Sequence, residues 1–213
     1  MIRPRPTPIF RLLHIDSLAT ILHRGAMHAP NRVPADGLPY RGIHRTDVQT
    51  SRRPRVIPCG CGGAVGDYVS FYLGPRSPML FQLKTGQVAD YGEGQEPLVY
   101  LVSTVEAVVD AGLPFVFTDR HSLATYAKWS DREVDLDALD WVTIYADYWA
   151  NTAEDRERKN RKQAECLVHG SMPVPLCHEV AVVSPAAKAR VEALPRRAGS
   201  HIPPVVVRSR WYY

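Results

Sequence analysis

The stretch of residues 67–80 constrains the fold most, because an alternating strand pattern there ends abruptly. Val69, Phe71 and Leu73 alternate with phenolic or hydroxyl side chains, which is typical of a strand with one buried face. The opposite face suits the wall of a polar pocket, although an ordinary core strand explains the same pattern. Glycine and proline at positions 74–75 end the strand, and binding groups often lie on the loop that follows such a strand.

Short strands and helices are mixed along the rest of the chain. Apolar patterns predict further strands at residues 9–13, 98–102, 115–117, 164–168, 178–184 and 205–208. Caps and helical spacing predict helices from Asp16 or Ser17 to Gly25, near 47–53, and at 105–111, 122–128, 136–149 and 185–194. Residues 30–66 and 84–97 are predicted to be long polar loops. A doubly wound sheet needs regular strand–helix alternation, so we predict an α+β fold in one domain, residues 1–213.

Composition and motifs exclude several classes of protein. The chain has 213 residues and 45% hydrophobic content, which is ordinary for a globular protein. No apolar run is long enough to span a membrane, and the N-terminus lacks the apolar core of a signal peptide, so we expect a cytoplasmic protein. Neither a P-loop nor a G-x-G-x-x-G motif is present. The four cysteines lack the usual zinc spacing, so we expect free thiols and no metal.

The chain is mildly basic, with a net charge of +4, and the charge is unevenly placed. Arginines cluster at residues 41–55, and arginines and lysines cluster again at 156–162. Such runs are usually solvated, but beside a nucleotide site they would also hold phosphates. The aromatic residues at 141–149 either pack in the core or stack against unpaired bases. These features are compatible with a nucleic-acid partner.

Several short motifs cover nearly the whole chain. They are the central stretch 67–80 together with Pro6–Ile9, His14–Asp16, Gly94–Pro97, Gly112–His121, Gln163–Glu165 and Trp211–Tyr213. Together they resemble the DarT family of DNA ADP-ribosyltransferase toxins. The resemblance implies an ADP-ribosyltransferase-like fold with a split, mostly antiparallel β core. It also implies sequence-dependent transfer of ADP-ribose from NAD to thymidine in single-stranded DNA, and a macrodomain antitoxin as partner. We expect the protein to be a monomer.

The resemblance assigns the two catalytic roles to Glu165 and Arg52. The position of Glu165 at the start of an apolar strand agrees with such a role, because a carboxylate is costly to bury unless it is used. Arg52 is matched by its distance from the central strand, and Arg53 is the adjacent alternative. In the family this arginine removes the thymidine proton. Because arginine is almost always protonated, electrostatic stabilisation is the chemical alternative.

Two binding sets follow from the same resemblance. The predicted NAD-binding residues are Arg11, Leu12, Leu13, His14, Thr20, His28, Arg52, Tyr68 and Phe71. Arg11 occupies a position where the family has a histidine, and His14 could instead be a satisfied histidine near a helix start. The predicted DNA-binding residues are Arg53, Arg76, Met79, Arg120, His121, Tyr148, Arg156 and Arg161. Two other functions stay open: transfer to a protein side chain or RNA, and a catalytically silent nucleic-acid-binding module.

Overall fold

The computed structural model describes residues 1–195 and 201–213. Ten strands form two sheets: β1 (Pro8–His14), β2 (Ala26–His28), β3 (Tyr68–Tyr72), β4 (Leu98–Thr104), β5 (Phe115–Thr118), β6 (Trp129–Ser130), β7 (Glu165–His169), β8 (Ser171–Pro173), β9 (Glu179–Val182) and β10 (Val205–Val207). The larger sheet has the order β10-β9-β4-β1-β3-β7-β5-β6, and β2 pairs with β8. Of the paired strands described, β9 and β10 are parallel and the others antiparallel. The predicted α+β, mostly antiparallel architecture is confirmed.

Seven α-helices lie between the strands and against the sheet in the described part of the chain. They are α1 (Ile15–Arg24), α2 (Thr46–Arg52), α3 (Pro78–Lys84), α4 (Val105–Asp110), α5 (Trp141–Ile144), α6 (Arg158–Arg161) and α7 (Pro185–Glu192). Short 3-10 turns occupy Pro30–Arg32, Val65–Asp67, Glu133–Ala138, Val174–Leu176 and Ser209–Trp211. No helix in the described ranges combines the length and the apolar character needed to cross a membrane.

The large sheet is split between β1 and β3. Along its whole length, from Pro8 to His14, β1 pairs with β4, but it pairs with β3 only where Phe10 lies opposite Tyr72. Beyond that point the two strands diverge. The Arg11 guanidinium occupies the gap, and its Nη1 donates to the main-chain oxygen of Ser70 at 2.9 Å. A side chain therefore satisfies a carbonyl that a continuous ladder would otherwise use.

Both ends of the first helix, which follows β1, are fixed by local chemistry. The sequence predicted a cap at Asp16 or Ser17, which is wrong by two or three residues. The cap is His14, whose Nδ1 accepts from the Asp16 amide at 3.2 Å. The helix ends at Gly25 as predicted, since glycine adopts its φ of 72° without steric cost. Thus α1 starts directly from the last residue of β1.

Two predicted helices are wrong. Residues 122–126 form turns, in which Ala124 N donates to His121 O and Ala127 N donates to Ala124 O, three residues back rather than the four of an α-helix. Residues 136–138 belong to the 3-10 turn Glu133–Ala138, and the only α-helix described within 136–149 is the one-turn α5. The buried Lys162 ammonium binds the main-chain oxygens of Ile144 and Ala146, at 2.8 and 3.0 Å. Side-chain chemistry from distant segments therefore replaces the helical bonds.

The sequence reasoning also missed regular structure. Residues 78–84, which follow the central strand, form α3 rather than an extended loop. A signal was present, because Ser77 caps the helix by accepting from Leu80 N and proline occupies the first turn. The short strands β2, β6 and β8 were missed as well, since two or three residues carry no usable periodicity. Residues 196–200, between the last predicted helix and strand, lie outside the described residues.

Candidate active site

A cavity of about 510 Å³ opens where β1 and β3 diverge. Its walls come from β1, β3, the α1–β2 turn, residues 40–53 and the end of α6. The volume is in the range of small-molecule sites, which run from about 300 to 1,000 Å³. The gap in the sheet thus creates a pocket, and the Ser70 main-chain oxygen at this gap is already bound by Arg11.

Glu165 lies in this cavity as the first residue of β7. Its register places it beside Tyr72 on one neighbouring strand and Thr118 on the other. The side chain is 3% exposed, so the carboxylate needs partners to be stable there. Its Oε1 accepts from the Ser122 amide at 3.1 Å, and its Oε2 accepts from Arg52 Nη2. The carboxylate is therefore fixed in position at the cavity wall.

Arg52 is the last residue of α2 and completes a compact polar cluster. Its Nε donates to Ser122 Oγ at 3.0 Å, and its Nη2 donates to Ser70 Oγ at 3.1 Å as well as to Glu165. Burial lowers the pKa of Arg52 to about 10, so the guanidinium is still a cation at neutral pH. It places a fixed positive charge beside the carboxylate.

The neighbouring arginine has different partners. Arg53 Nε donates to Asn31 Oδ1 at 2.5 Å, and its Nη2 donates to Pro30 O at 3.2 Å. Arg53 lines the cavity but makes none of the contacts that hold the carboxylate. Of the two candidate arginines, the structure brings Arg52 to Glu165.

Two histidines in the cavity wall are neutral. Burial, and then the charge of Arg52, lowers the pKa of His121 to about 4. Its Nδ1 accepts from Leu123 N at 3.2 Å, so the neutral ring carries its proton on Nε2. Burial, followed by the charges of Arg11 and Arg52, also lowers the pKa of His44. Sequence reasoning missed His44, which lies in a loop without a recognisable pattern.

Most residues predicted to bind NAD line this cavity. They are Arg11, Leu12, Leu13, His28, Arg52, Tyr68 and Phe71. His14 and Thr20 do not: the first caps α1, and the hydroxyl of the second donates to Pro39 O at 2.6 Å. Lys159, which belongs to the basic run at 156–162, also lines the cavity, together with residues that the sequence did not identify, such as Tyr40, His44, Gln82, Asn160 and Gln163. These unidentified residues come from separate loops and helices, so only tertiary folding reveals them.

The residues predicted to bind DNA are more dispersed. Arg53, Met79 and His121 line the cavity. Arg120 is paired with Asp119 and Glu157, and Arg161 with Asp140 and Asp155. These two arginines therefore carry their own counter-charges, which reduces what they can offer a phosphate.

The other predicted DNA-binding residues lie outside the cavity lining. The Arg76 guanidinium lies 4.5 Å from the centre of the Tyr213 ring, an arrangement typical of a cation–π contact. Tyr148 is 66% exposed and Arg156 is exposed, so both are accessible to a polymer. Within the described residues, no group of three or more His, Cys, Asp or Glu side chains is arranged to hold a metal ion.

A split, mostly antiparallel sheet with a buried glutamate in its cleft is the arrangement that the resemblance implies for an ADP-ribosyltransferase. A family model described as "ssDNA thymidine ADP-ribosyltransferase, DarT" matches residues 10–213. The chain belongs to this family. A DNA ADP-ribosyl transferase of Thermus sp. (strain 2.9) is 42% identical over 211 residues, covering 99% of this chain and 98% of the relative.

Solved structures agree with this family membership. Thermus sp. 2.9 DarT in complex with ADP-ribosylated single-stranded DNA superposes with a TM-score of 0.90 at 39% identity, covering 100% of this chain and 99% of that one. The same Thermus protein in complex with NAD+ gives a TM-score of 0.85 at 39% identity, with 99% of each chain covered. The predicted ADP-ribosyltransferase fold is confirmed.

Proposed function

We propose that this protein transfers ADP-ribose from NAD+ to thymidine in single-stranded DNA and releases nicotinamide. The observation that carries the proposal is the Glu165–Arg52 pair in the cleft of a chain that belongs to the DarT family. The Thermus sp. 2.9 relative is described in complexes with NAD+ and with ADP-ribosylated single-stranded DNA. Both partners of the reaction have therefore been seen on a similar protein.

Glu165 acts on the ribose that carries nicotinamide. Cleavage of the bond to nicotinamide leaves positive charge on the sugar, as in glycoside cleavage. A fixed carboxylate that accepts from a ribose hydroxyl holds the sugar and stabilises that charge as it develops. The carboxylate is 3% exposed, so water screens this interaction little. For Glu165 to reach the sugar, its Oε2 exchanges the bond to Arg52 for the hydroxyl.

Arg52 acts on the acceptor base. The ring nitrogen of thymine that attacks the sugar carries a proton, so the reaction releases one proton to solvent along with nicotinamide. Loss of this proton leaves negative charge on the base until the bond to the sugar forms. Arg52 remains a cation at neutral pH even though burial lowers its pKa to about 10. We therefore assign it to stabilising this negative charge rather than to accepting the proton. A base that must reach the sugar cannot stay stacked in a duplex, which favours single strands.

The biological setting follows from the family resemblance. The protein acts as a toxin in the cytoplasm, in a sequence-dependent manner, and is countered by a macrodomain antitoxin that removes the ADP-ribose. Co-expression of such a macrodomain relieves the growth defect if this pairing is correct. We also propose that the protein works as a monomer, which light scattering of the purified protein tests.

A panel of acceptors tests the proposed reaction. The protein is incubated with labelled NAD+ and either thymidine-containing DNA, thymidine-free DNA, RNA or a protein extract, and the products are separated. We expect label on the thymidine-containing single strand alone, and about 10²–10³-fold slower labelling with Glu165→Gln. Label on RNA or protein would assign a different acceptor to the same site. DNA binding without any label in any arm would instead indicate a catalytically silent binding module.

A further inference from the structure

Ser122 contacts both members of the Glu165–Arg52 pair through different atoms. Its amide donates to Glu165 Oε1 at 3.1 Å, and its hydroxyl accepts from Arg52 Nε at 3.0 Å. The residue is fully buried. The geometry points to Ser122 as a positioning residue that sets the distance and orientation between the carboxylate and the guanidinium. This inference rests on the proposed function, because it presumes that the pair acts in catalysis.

The main chain around Ser122 is itself held firmly. His121 N donates to Asn160 O at 2.9 Å, which ties this turn to the end of α6. Ala124 N donates to His121 O at 2.9 Å and closes the turn. The turn is thus connected to the segment that leads into Glu165, and a shift of one would move the other.

The same loop also binds the main-chain amide of Glu165. Glu165 N donates to Thr118 Oγ1 at 3.3 Å, and Thr118 Oγ1 donates to Arg120 O at 2.7 Å. The segment 118–122 therefore contacts both the backbone and the carboxylate of Glu165. Its conformation is determined by bonds that do not involve a ligand.

The hydroxyl of Ser122 matters because an arginine side chain has many rotamers. Two serine hydroxyls restrain Arg52, Ser122 at Nε and Ser70 at Nη2. With both in place the guanidinium plane is fixed before any ligand binds, which is the condition for effective electrostatic stabilisation. When Glu165 exchanges Arg52 for the ribose, these hydroxyls keep Arg52 in position. Ser122 therefore acts mainly after NAD+ has bound, through Arg52.

Ser122→Ala removes the hydroxyl that accepts from Arg52 but keeps the hydrogen bond from the main-chain amide to Glu165. The variant therefore tests the contact with Arg52 alone. We expect kcat for thymidine modification to fall by about 10- to 100-fold, because small misplacements of reacting groups have effects of this size. The KM for NAD+ should change by less than about threefold, since Glu165 stays anchored. The matched control is Ser103→Ala, another fully buried serine, whose hydroxyl donates to Leu176 O at 2.6 Å. We expect this control to keep the parent kcat.

A double-mutant cycle with Arg52→Lys separates positioning from a general structural effect. Lysine has one ammonium in place of the planar fork, so it cannot reproduce the Nε bond to Ser122 together with the Nη2 bonds to Ser70 and Glu165. In the Arg52→Lys background, Ser122→Ala should change the single-turnover rate by less than about twofold. Rates are measured with excess enzyme, well below the melting temperature of every variant. The same fold-loss in both backgrounds would overturn the inference, as would a Ser122→Ala enzyme with the parent kcat.

The outcomes also distinguish this inference from the proposed function. If the parent modifies no thymidine, the proposed function fails, and the cycle is repeated on whichever acceptor takes the label. If Arg52→Lys matches the parent, the pair is not catalytic and the role of Ser122 falls with it. If Arg52→Lys is impaired and Ser122→Ala is not, only the role of Ser122 is wrong.

Discussion

Replacing Glu165 by glutamine is the most informative perturbation of the site. Glutamine keeps the shape of the side chain but removes its charge. In the structure, Ser122 N and Arg52 Nη2 both donate to the carboxylate, one to each oxygen. An amide has only one oxygen, so one of these donors faces an NH2 group. A buried polar group left without a partner costs about 1–3 kcal/mol.

This structural cost is smaller than the cost of truncation. Glu165→Ala would leave the Arg52 guanidinium buried without its counter-charge, and breaking a buried ion pair costs about 3–5 kcal/mol. Domains of this kind are stable by about 5–15 kcal/mol, so the alanine variant could lose much of its stability. Glutamine therefore separates catalysis from folding better than alanine does.

The kinetic effect of Glu165→Gln should exceed its effect on binding. Removing one group that stabilises transition-state charge lowers kcat by about 10²–10³, or about 2.7–4 kcal/mol. The hydrogen bond to the ribose survives in part, so the affinity for NAD+ should change only a few-fold. The measurements are initial rates on a thymidine oligonucleotide, NAD+ calorimetry and thermal melting. A folded Glu165→Gln enzyme with most of the parent activity would refute the assignment of Glu165.

Three further predictions follow from the described contacts. In the parent, Lys162 Nζ donates to the main-chain oxygens of Ile144 and Ala146 at 2.8 and 3.0 Å, and Lys162→Met leaves both without this donor. The free energy of unfolding, measured in urea, should fall by about 1–3 kcal/mol per carbonyl. An unchanged urea midpoint would contradict this. Burial lowers the pKa of His121 to about 4, so between pH 6.5 and 4 the unfolded chain binds more protons than the folded protein. The free energy of unfolding should therefore fall as pH falls through that window, by up to about 3 kcal/mol from this residue. Urea titrations at pH 7 and 5 measure the change, and equal stability would be the opposing result. Arg11→Ala removes a cavity cation that also binds Ser70 O, and calorimetry should show weaker NAD+ binding, whereas parent affinity would remove Arg11 from the site.

Local sequence patterns predicted the longer strands well because alternation and apolar runs are visible within a few residues. Alternation around Phe71 and the apolar run at 98–102 correspond to β3 and β4, both buried in the sheet. The helix predicted at 136–149 failed for the opposite reason. There, Lys162 from a distant segment binds the carbonyls that a helix would use. No pattern within 136–149 contains that information.

The site residues likewise fall into those that could be identified from the sequence and those that could not. Glu165 and Arg52 were identified by resemblance to a family, and the structure brings them together across 113 positions of the chain. Ser122 was not identified, because its importance lies in contacts with residues 43 and 70 positions away. His44 was missed because burial and nearby arginines, rather than its neighbours in sequence, determine its properties. Such long-range environments appear only after folding.

Mass spectrometry of a defined oligonucleotide shows whether the protein transfers ADP-ribose to the ring nitrogen of thymine that carries a proton. A single-stranded oligonucleotide with one thymidine is incubated with NAD+ and the protein, beside a matched oligonucleotide that carries N3-methylthymidine. We expect a gain of one ADP-ribosyl group on the first strand, located on the thymine base by fragmentation, and no gain on the second. Equal modification of both strands, or release of nicotinamide with neither strand modified, would contradict it.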